Sequence, residues 1–139
     1  MQSCGVVGEP PGPRRELLED VRQRVVAEYL KGNEAADFVT STLCIEELAV
    51  GKHVVGDPTG ADVLAPYGWL EVVPFRVDHA IVAGEMEAEL HADESVNRDY
   101  INTVAGDLLI AAVARTMDAT VVTNNRDDFE RFDVTVEGY

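Results

Sequence analysis

Apolar positions in this chain follow two rhythms, short unbroken runs and longer stripes at helical spacing, and the two take turns along its length. From Arg14 to Lys31, Leu17, Leu18, Val21, Val25, Tyr29 and Leu30 recur at helical spacing with charges between them, which predicts an amphipathic helix closed by Gly32-Asn33. Phe38–Thr42 is short and rich in β-branched and aromatic residues, so it reads as a strand. A helix over Leu43–Lys52 follows, then a turn at Asp57–Gly60, a short helix over Ala61–Tyr67 and a second strand over Leu70–Phe75. Asp78–Leu90 is predicted helical, with Ile81, Met86 and Leu90 among its apolar positions, and His91–Tyr100 is a polar connection. Val104–Met117 is apolar almost all round, as a helix buried on most sides would be. Thr120–Thr123 is a third strand, Phe129–Phe132 a short turn and Val134–Val136 a last strand.

Strands thus alternate with helices, and the strand runs are continuous rather than alternating in polarity. That combination predicts an α/β fold with a central parallel sheet and helices on both faces. Residues 1–13, with three prolines and three glycines, read as an irregular tail before a single domain over 14–139. No internal repeat or low-complexity segment interrupts the domain.

A chain of 139 residues that is 46% hydrophobic has enough material for one real core. No run approaches the roughly 18 apolar residues a membrane span requires. The start, MQSCGVVGEPPGPRRELL, lacks the basic and apolar regions of a secretory signal. Cys4 and Cys44 form no CxxC pair, so a disulfide framework or zinc knuckle is not indicated and a reduced cytoplasmic protein is expected. Charge is lopsided: 11 basic residues against 26 acidic ones give −15, and only Lys31 and Lys52 are lysines. Such a surface opposes contact with nucleic acid at low salt. It also suits a halophile, where the Debye length falls to about 3 Å at 1 M salt and self-repulsion is screened.

Two carboxylates stand where packing has no use for them. Glu47 lies in STLCIEELAVG (41–51) and Asp107 in AGDLLIAAVAR (105–115), and a third polar cluster, TNNRDDF (123–129), follows a β-prone run. Acids are rarely buried unless paired or bound to metal. In parallel α/β sheets ligands gather at the carboxyl ends of strands. Ser41 and Thr42 end one predicted strand, Thr123 and Asn125 another, and Asp107 falls in a first helical turn where the dipole favours negative charge. Glu47, Asp107 and the polar cluster at 123–129 therefore look like the walls of one site for a hard divalent cation. Ser41, Thr42 and Thr123 are candidates for orienting water or a ligating carboxylate, and Arg126 for holding a phosphate. Plainer readings stand beside these: Glu47 as an exposed helical position next to Glu46, and Asn125 and Asp128 as turn formers. His53, His79 and His91 show no ligand spacing.

Together S-T-L-C-I-E-E-L-A-V-G (41–51), G-D-L-L-I-A-A-V-A (106–114) and V-V-T-N-N-R-D-D-F-E (121–130) resemble the PIN domain, especially the small VapC-type ribonuclease toxins. The resemblance runs over roughly residues 14–137. It implies a PIN-like three-layer α/β/α sandwich with a five-strand parallel sheet, Mg2+ or Mn2+ held by clustered carboxylates, and endonucleolytic cleavage of RNA. It also implies an antitoxin protein as partner and a homodimer, with no membrane. Glu47 takes the place of the family's Glu, Asp107 that of its Asp, and Asn125 its last site position, with Asp128 just beyond. Family members open with a strand in the middle of the sheet, ending in Asp, then Thr or Ser, then Asn. Nothing before Pro13 supplies it, so the resemblance implies a start that is truncated, frameshifted or degenerate, with the first strand missing or poorly replaced by residues 3–7. The alternative is an inactive PIN-like protein that binds an antitoxin-like partner or RNA without cutting. A phospho-acceptor receiver domain would need an acidic pair after the first strand and a late lysine, and dinucleotide binding a GxGxxG after a strand; neither is present.

Overall fold

The computed structural model describes residues 14–19, 29–32 and 36–138. Five strands form one sheet in the order β3-β2-β1-β4-β5, and every pairing is parallel. The strands are β1 (Arg15–Leu18), β2 (Asp37–Ser41), β3 (Glu71–Val73), β4 (Thr120–Thr123) and β5 (Val136–Gly138). Between them run α1 (Thr42–Val55), α2 (Gly60–Leu64) with a 3-10 turn at Ala65–Tyr67, α3 (Val77–Ala92), α4 (Arg98–Thr103), α5 (Ala105–Thr116) and α6 (Arg126–Glu130). The PIN-like sandwich anticipated from sequence is the architecture found. None of the described helices is long and apolar enough to cross a membrane.

Two expectations are corrected at the amino end. Residues 15–18 are not helical but extended, and the sheet's middle strand is not missing: Arg15–Leu18 fills it, between β2 and β4. Residues 3–7, put forward as its replacement, lie outside the described residues, as do the tail at 1–13 and positions 20–28 of the anticipated helix; residues 29–32 are helical. Physically, the adjacent pair Leu17-Leu18 fits a helical face and also fits a strand covered on both sides, where successive side chains point to opposite faces and both are buried. Leu17 is 0% exposed and Leu18 1%.

Register makes the core. Leu17 is level with Val39 on one side and Val121 on the other, all three fully buried in the cluster that α3 and α5 complete. On α5, Ile110 through Ala114 are all solvent-inaccessible, and the alanines let α5 approach β4 and α3 closely. The helix ends where Asp118 takes a left-handed conformation (φ 54°) and Ala119 N–H donates to Ala114 O at 2.8 Å, turning the chain into β4. Smaller departures from the sequence reading occur where capping outweighs polarity: Asn97 accepts from Asp99 N–H and starts α4 inside the predicted connection, and α6 replaces the predicted turn near Phe129.

On the face opposite Leu17 the middle strand carries an acid. Glu16 is 0% exposed, level with Phe38 and Thr120. Arg14 pairs with its Oε2, and Tyr29 Oη donates to its Oε1 at 2.9 Å. Burial, and then this hydrogen bond, push the Tyr29 phenol well above its ordinary pKa. Hydrogen bonds to a charged group contribute about 1.5–3 kcal/mol net. Tyr29→Phe is therefore expected to lower unfolding free energy by about that amount, read from a shifted urea midpoint with unchanged slope.

Candidate metal and nuclease site

Strand order places the site. The chain lays β2 and β3 on one side of β1, then crosses over to β4 and β5 on the other, so the order reverses between β1 and β4. At such a switch point the connections leave in opposite directions and open a crevice outside the carboxyl ends of the strands. The residues that follow β1, β2 and β4 therefore face a common space.

Glu19 continues β1 there. Its backbone N–H donates to Val122 O at 3.1 Å, and its Oε1 accepts from Thr123 Oγ1 at 3.0 Å. Thr123, fully buried at the end of β4, also accepts from Asn125 N–H at 2.9 Å, so one hydroxyl ties the ends of β1 and β4 and shapes the loop that follows. At the end of β2, Ser41 caps α1 by accepting from Leu43 N–H at 3.1 Å. Thr42 Oγ1 accepts from Phe75 N–H at 3.3 Å and fixes the start of α1 to the exit of β3.

Glu47 stands exposed on α1, and its Oε2 lies 3.4 Å from where a Cβ on Gly106 would be. The glycine thus leaves room for the Glu47 carboxylate against the first turn of α5, beside Asp107. Asp107 is half-buried, and its pKa is raised from the ordinary 3.8, first by burial and then by the charge of Asp128. Cys44, one turn before Glu47, is fully enclosed, and its thiol is pushed up to about 12, first by burial, with Glu19 and Glu47 adding to the rise. Both carboxylates therefore lie near the same buried sulfur, Glu19 just past β1 and Glu47 in the second turn of α1. Asn124 through Asp128 line an open hollow of about 300 Å³ beside them.

Of the residues singled out from sequence, Glu47, Asp107, Thr123, Asn125 and Asp128 thus come to one edge of the molecule. Ser41 and Thr42 hold α1 in place through their hydroxyls. Arg126 lies on the surface with Nε 3.2 Å from Glu130 Oε2. Glu19 was not anticipated, since it fell within a presumed helix; its signal is the acid directly after the apolar pair Leu17-Leu18, once that pair is read as a strand. In kind, these carboxylate oxygens suit a hard divalent ion, which prefers oxygen ligands and usually keeps several waters. Their crowding, visible in the raised Asp107, is what a bound cation would relieve. Among the described residues no three His, Cys, Asp or Glu side chains stand close enough to hold one ion between them.

The PIN domain family model matches residues 16–134. The chain belongs to the PIN domain family. PIN domains generally use divalent metal ions. Among solved structures, the chain is similar to a member of the VapBC toxin-antitoxin family, VapBC-5 from Mycobacterium tuberculosis, at 27% identity with TM-score 0.61, covering 91% of this chain and 98% of that one. It resembles DNA-bound VapBC from Salmonella typhimurium at 22% identity, with TM-score 0.66 and coverage of 91% and 98%. VapBC2 from Rickettsia felis, bound to a promoter DNA fragment, matches at 22% identity and TM-score 0.63, over 90% and 98% of the two chains. No curated protein matches the chain in sequence.

The Asp107 shift sets the sign of a stability test. An acid whose pKa is higher in the folded state than in the unfolded one costs nothing below the unfolded value of about 3.8 and costs most above the folded value. Asp107→Asn is expected to raise the melting temperature of the metal-free PIN domain at neutral pH. Thermal melts across pH check this: the gain should shrink as pH falls through the raised Asp107 range and vanish below about 3.8.

Proposed function

We propose that this PIN domain is a divalent-metal-dependent endoribonuclease, acting as the toxin of a toxin-antitoxin pair, with RNA as substrate and an antitoxin protein as partner, and that it works as a homodimer. The observation that carries the nuclease reading is the gathering of Glu19, Glu47, Asp107 and Asp128 at the sheet's switch point, with Asp107 held off its ordinary ionisation by burial and by Asp128. The toxin-antitoxin reading is supported by the VapBC complexes of similar fold.

In this reading Glu47 and Asp107 are the principal ligands of Mg2+ or Mn2+. Glu19 stands where the family's first acid would be; it would supply a third carboxylate, with Asn125 and Asp128 at the rim, once the side chains draw together around the ion. A divalent ion bound there supplies a water of lowered pKa and stabilises charge on the phosphate under attack. Thr123 holds the Glu19 carboxylate in place through its hydroxyl. Arg126 contacts a phosphate once drawn away from Glu130, which lies on the same exposed face of α6. An acidic edge on a chain of net charge −15 repels a polyanion, so RNA binding itself depends on the cation.

Glu19→Gln, Glu47→Gln and Asp107→Asn are each expected to reduce Mn2+-dependent RNA cleavage by about 100-fold or more while the far-UV spectrum stays native. Burial and the charge of Asp128 make Asp107 take up a proton at a higher pH than an ordinary aspartate, so the Mn2+ concentration needed for half-maximal cleavage should rise as pH falls. Undiminished cleavage in all three variants would overturn the assignment. The spacing of the carboxylates favours a second reading, a PIN domain that binds its partner or RNA without cutting. Intact RNA in the presence of Mn2+, together with measurable partner binding, would establish that one instead.

A further inference from the structure

Between the end of α3, the last turn of α5 and the segment that leaves α6 lies a hollow of about 340 Å³. Its walls are of two kinds. Met86, Leu90 and Phe132 give it apolar sides, Met86 and Phe132 being buried there. Glu89, Asp93 and Asp133 bring carboxylates to it, and Arg115 and Arg131 bring guanidinium groups. Among the described residues neither arginine has a carboxylate oxygen within 4 Å. Charges of both signs thus line one space without closing on each other. Asp93 is engaged locally, since its Oδ1 accepts from Ser95 N–H at 3.0 Å and from Ser95 Oγ at 2.6 Å. Glu89 and Asp133 are then the acceptors offered to a ligand. Arg131 is steadied from one side, its Cζ lying 4.5 Å from the centre of the Tyr100 ring, which leaves the other face of the guanidinium plane to a flat molecule.

A molecule that fits such walls is planar and partly apolar, with donors for the carboxylates and acceptors for the guanidinium groups. Nucleobases have that shape, and their edges decide between them. A carboxylate accepts through two oxygens and donates nothing. Guanine presents two adjacent donors on its pairing edge, N1–H and the N2 amino group, whereas adenine, cytosine and uracil each set an acceptor beside the donor. Its other edge carries O6 and N7, the pair of acceptors that arginine grips bidentately. We infer that the hollow binds a guanine base, stacked on Arg131, donating from N1 and N2 to Glu89 and Asp133 and accepting at O6 and N7 from Arg115. The base belongs either to a free nucleotide or to a residue of an RNA strand. Arg131 follows Asp128 by three residues, and Arg115 lies about 12 Å along α5 from Asp107, so one strand can span the hollow and the carboxylate edge.

Calorimetric titration of the metal-free protein with the 5′-monophosphates of guanosine, adenosine, cytidine and uridine holds the phosphate constant and reads the base. Guanosine monophosphate is expected to bind about tenfold or more tighter than the other three. Inosine monophosphate, which lacks the N2 amino group, should fall between. Asp133→Asn replaces an acceptor by an amide while suiting the left-handed backbone there (φ 55°). That variant, Glu89→Gln and Arg131→Ala should each weaken guanosine monophosphate by about tenfold, with melting temperatures showing that these exposed substitutions leave the fold intact. Equal affinity for the four nucleotides, or guanosine monophosphate binding unchanged in all three variants, would rule the base pocket out. Oligoadenosine strands carrying one guanosine at successive positions, incubated with Mn2+, separate the two sources and rest on the nuclease reading. Cuts at a fixed distance from the guanosine, lost in Arg131→Ala, assign the pocket to a substrate residue; cuts indifferent to it, with nucleotide binding intact, assign it to a free nucleotide. Absence of any cutting bears on the nuclease reading alone, and the titration still decides this one.

Discussion

Everything in this molecule is built on a strand of four residues. β1 is hydrogen-bonded on both sides, to β2 and to β4, and without it those two strands would present bare ladders to one another across an empty slot. Its side chains supply both core layers at once, Leu17 towards α3 and α5 and Leu18 towards the opposite face. It also carries the next residue, Glu19, to the mouth of the crevice. Burying Glu16 at full depth is the cost of using RELL for this position, and Arg14 and Tyr29 are the compensation. That a charged residue is tolerated in the middle of a parallel sheet indicates how strongly the pairing on both sides holds the segment in place.

The carboxylate edge shows the opposite balance. At the switch point Asp107 is pushed away from its ordinary ionisation, first by burial and then by the charge of Asp128. Groups that repel in the resting protein reduce stability, and such tension is common where a protein has kept a binding function at the expense of its fold. Gly106 lies at the same edge, where a Cβ would come into van der Waals contact with the Glu47 carboxylate.

Most of the framework was legible in the residues. β-branched runs marked β2 and β4, the all-round apolar character of Val104–Met117 marked α5, and the acids stranded in apolar segments marked Glu47 and Asp107. β1 escaped because Arg14, Arg15, Glu16 and Glu19 surround its two leucines with charge, which is the pattern of a helix surface; a doubly covered strand is normally apolar throughout. Missing the strand also hid Glu19, the acid that follows it and accepts a hydrogen bond from Thr123 at the end of β4. Ser41 was placed correctly at the strand end, whereas Thr42 already begins α1; their hydroxyls cap and tether that helix, a role that depends on backbone positions no pattern reveals. α4 and α6 are too short for periodicity to detect, and Asn97 shows that a cap can define such a helix by itself.

The position of β1 also has a bearing on how the chain is made. Glu19 and Thr123, bonded in the finished sheet, are 104 positions apart. At roughly 5–20 residues per second of synthesis, the first strand waits on the order of 5–20 s for its later neighbour to leave the ribosome. During that interval one border of the strand has no native companion, and its neighbours in time are other nascent chains. Parallel sheets closed by such remote pairings are slow to form and vulnerable to wrong associations meanwhile. The charges clustered on Arg14, Arg15, Glu16 and Glu19, awkward inside the finished sheet, would keep the waiting segment dissolved.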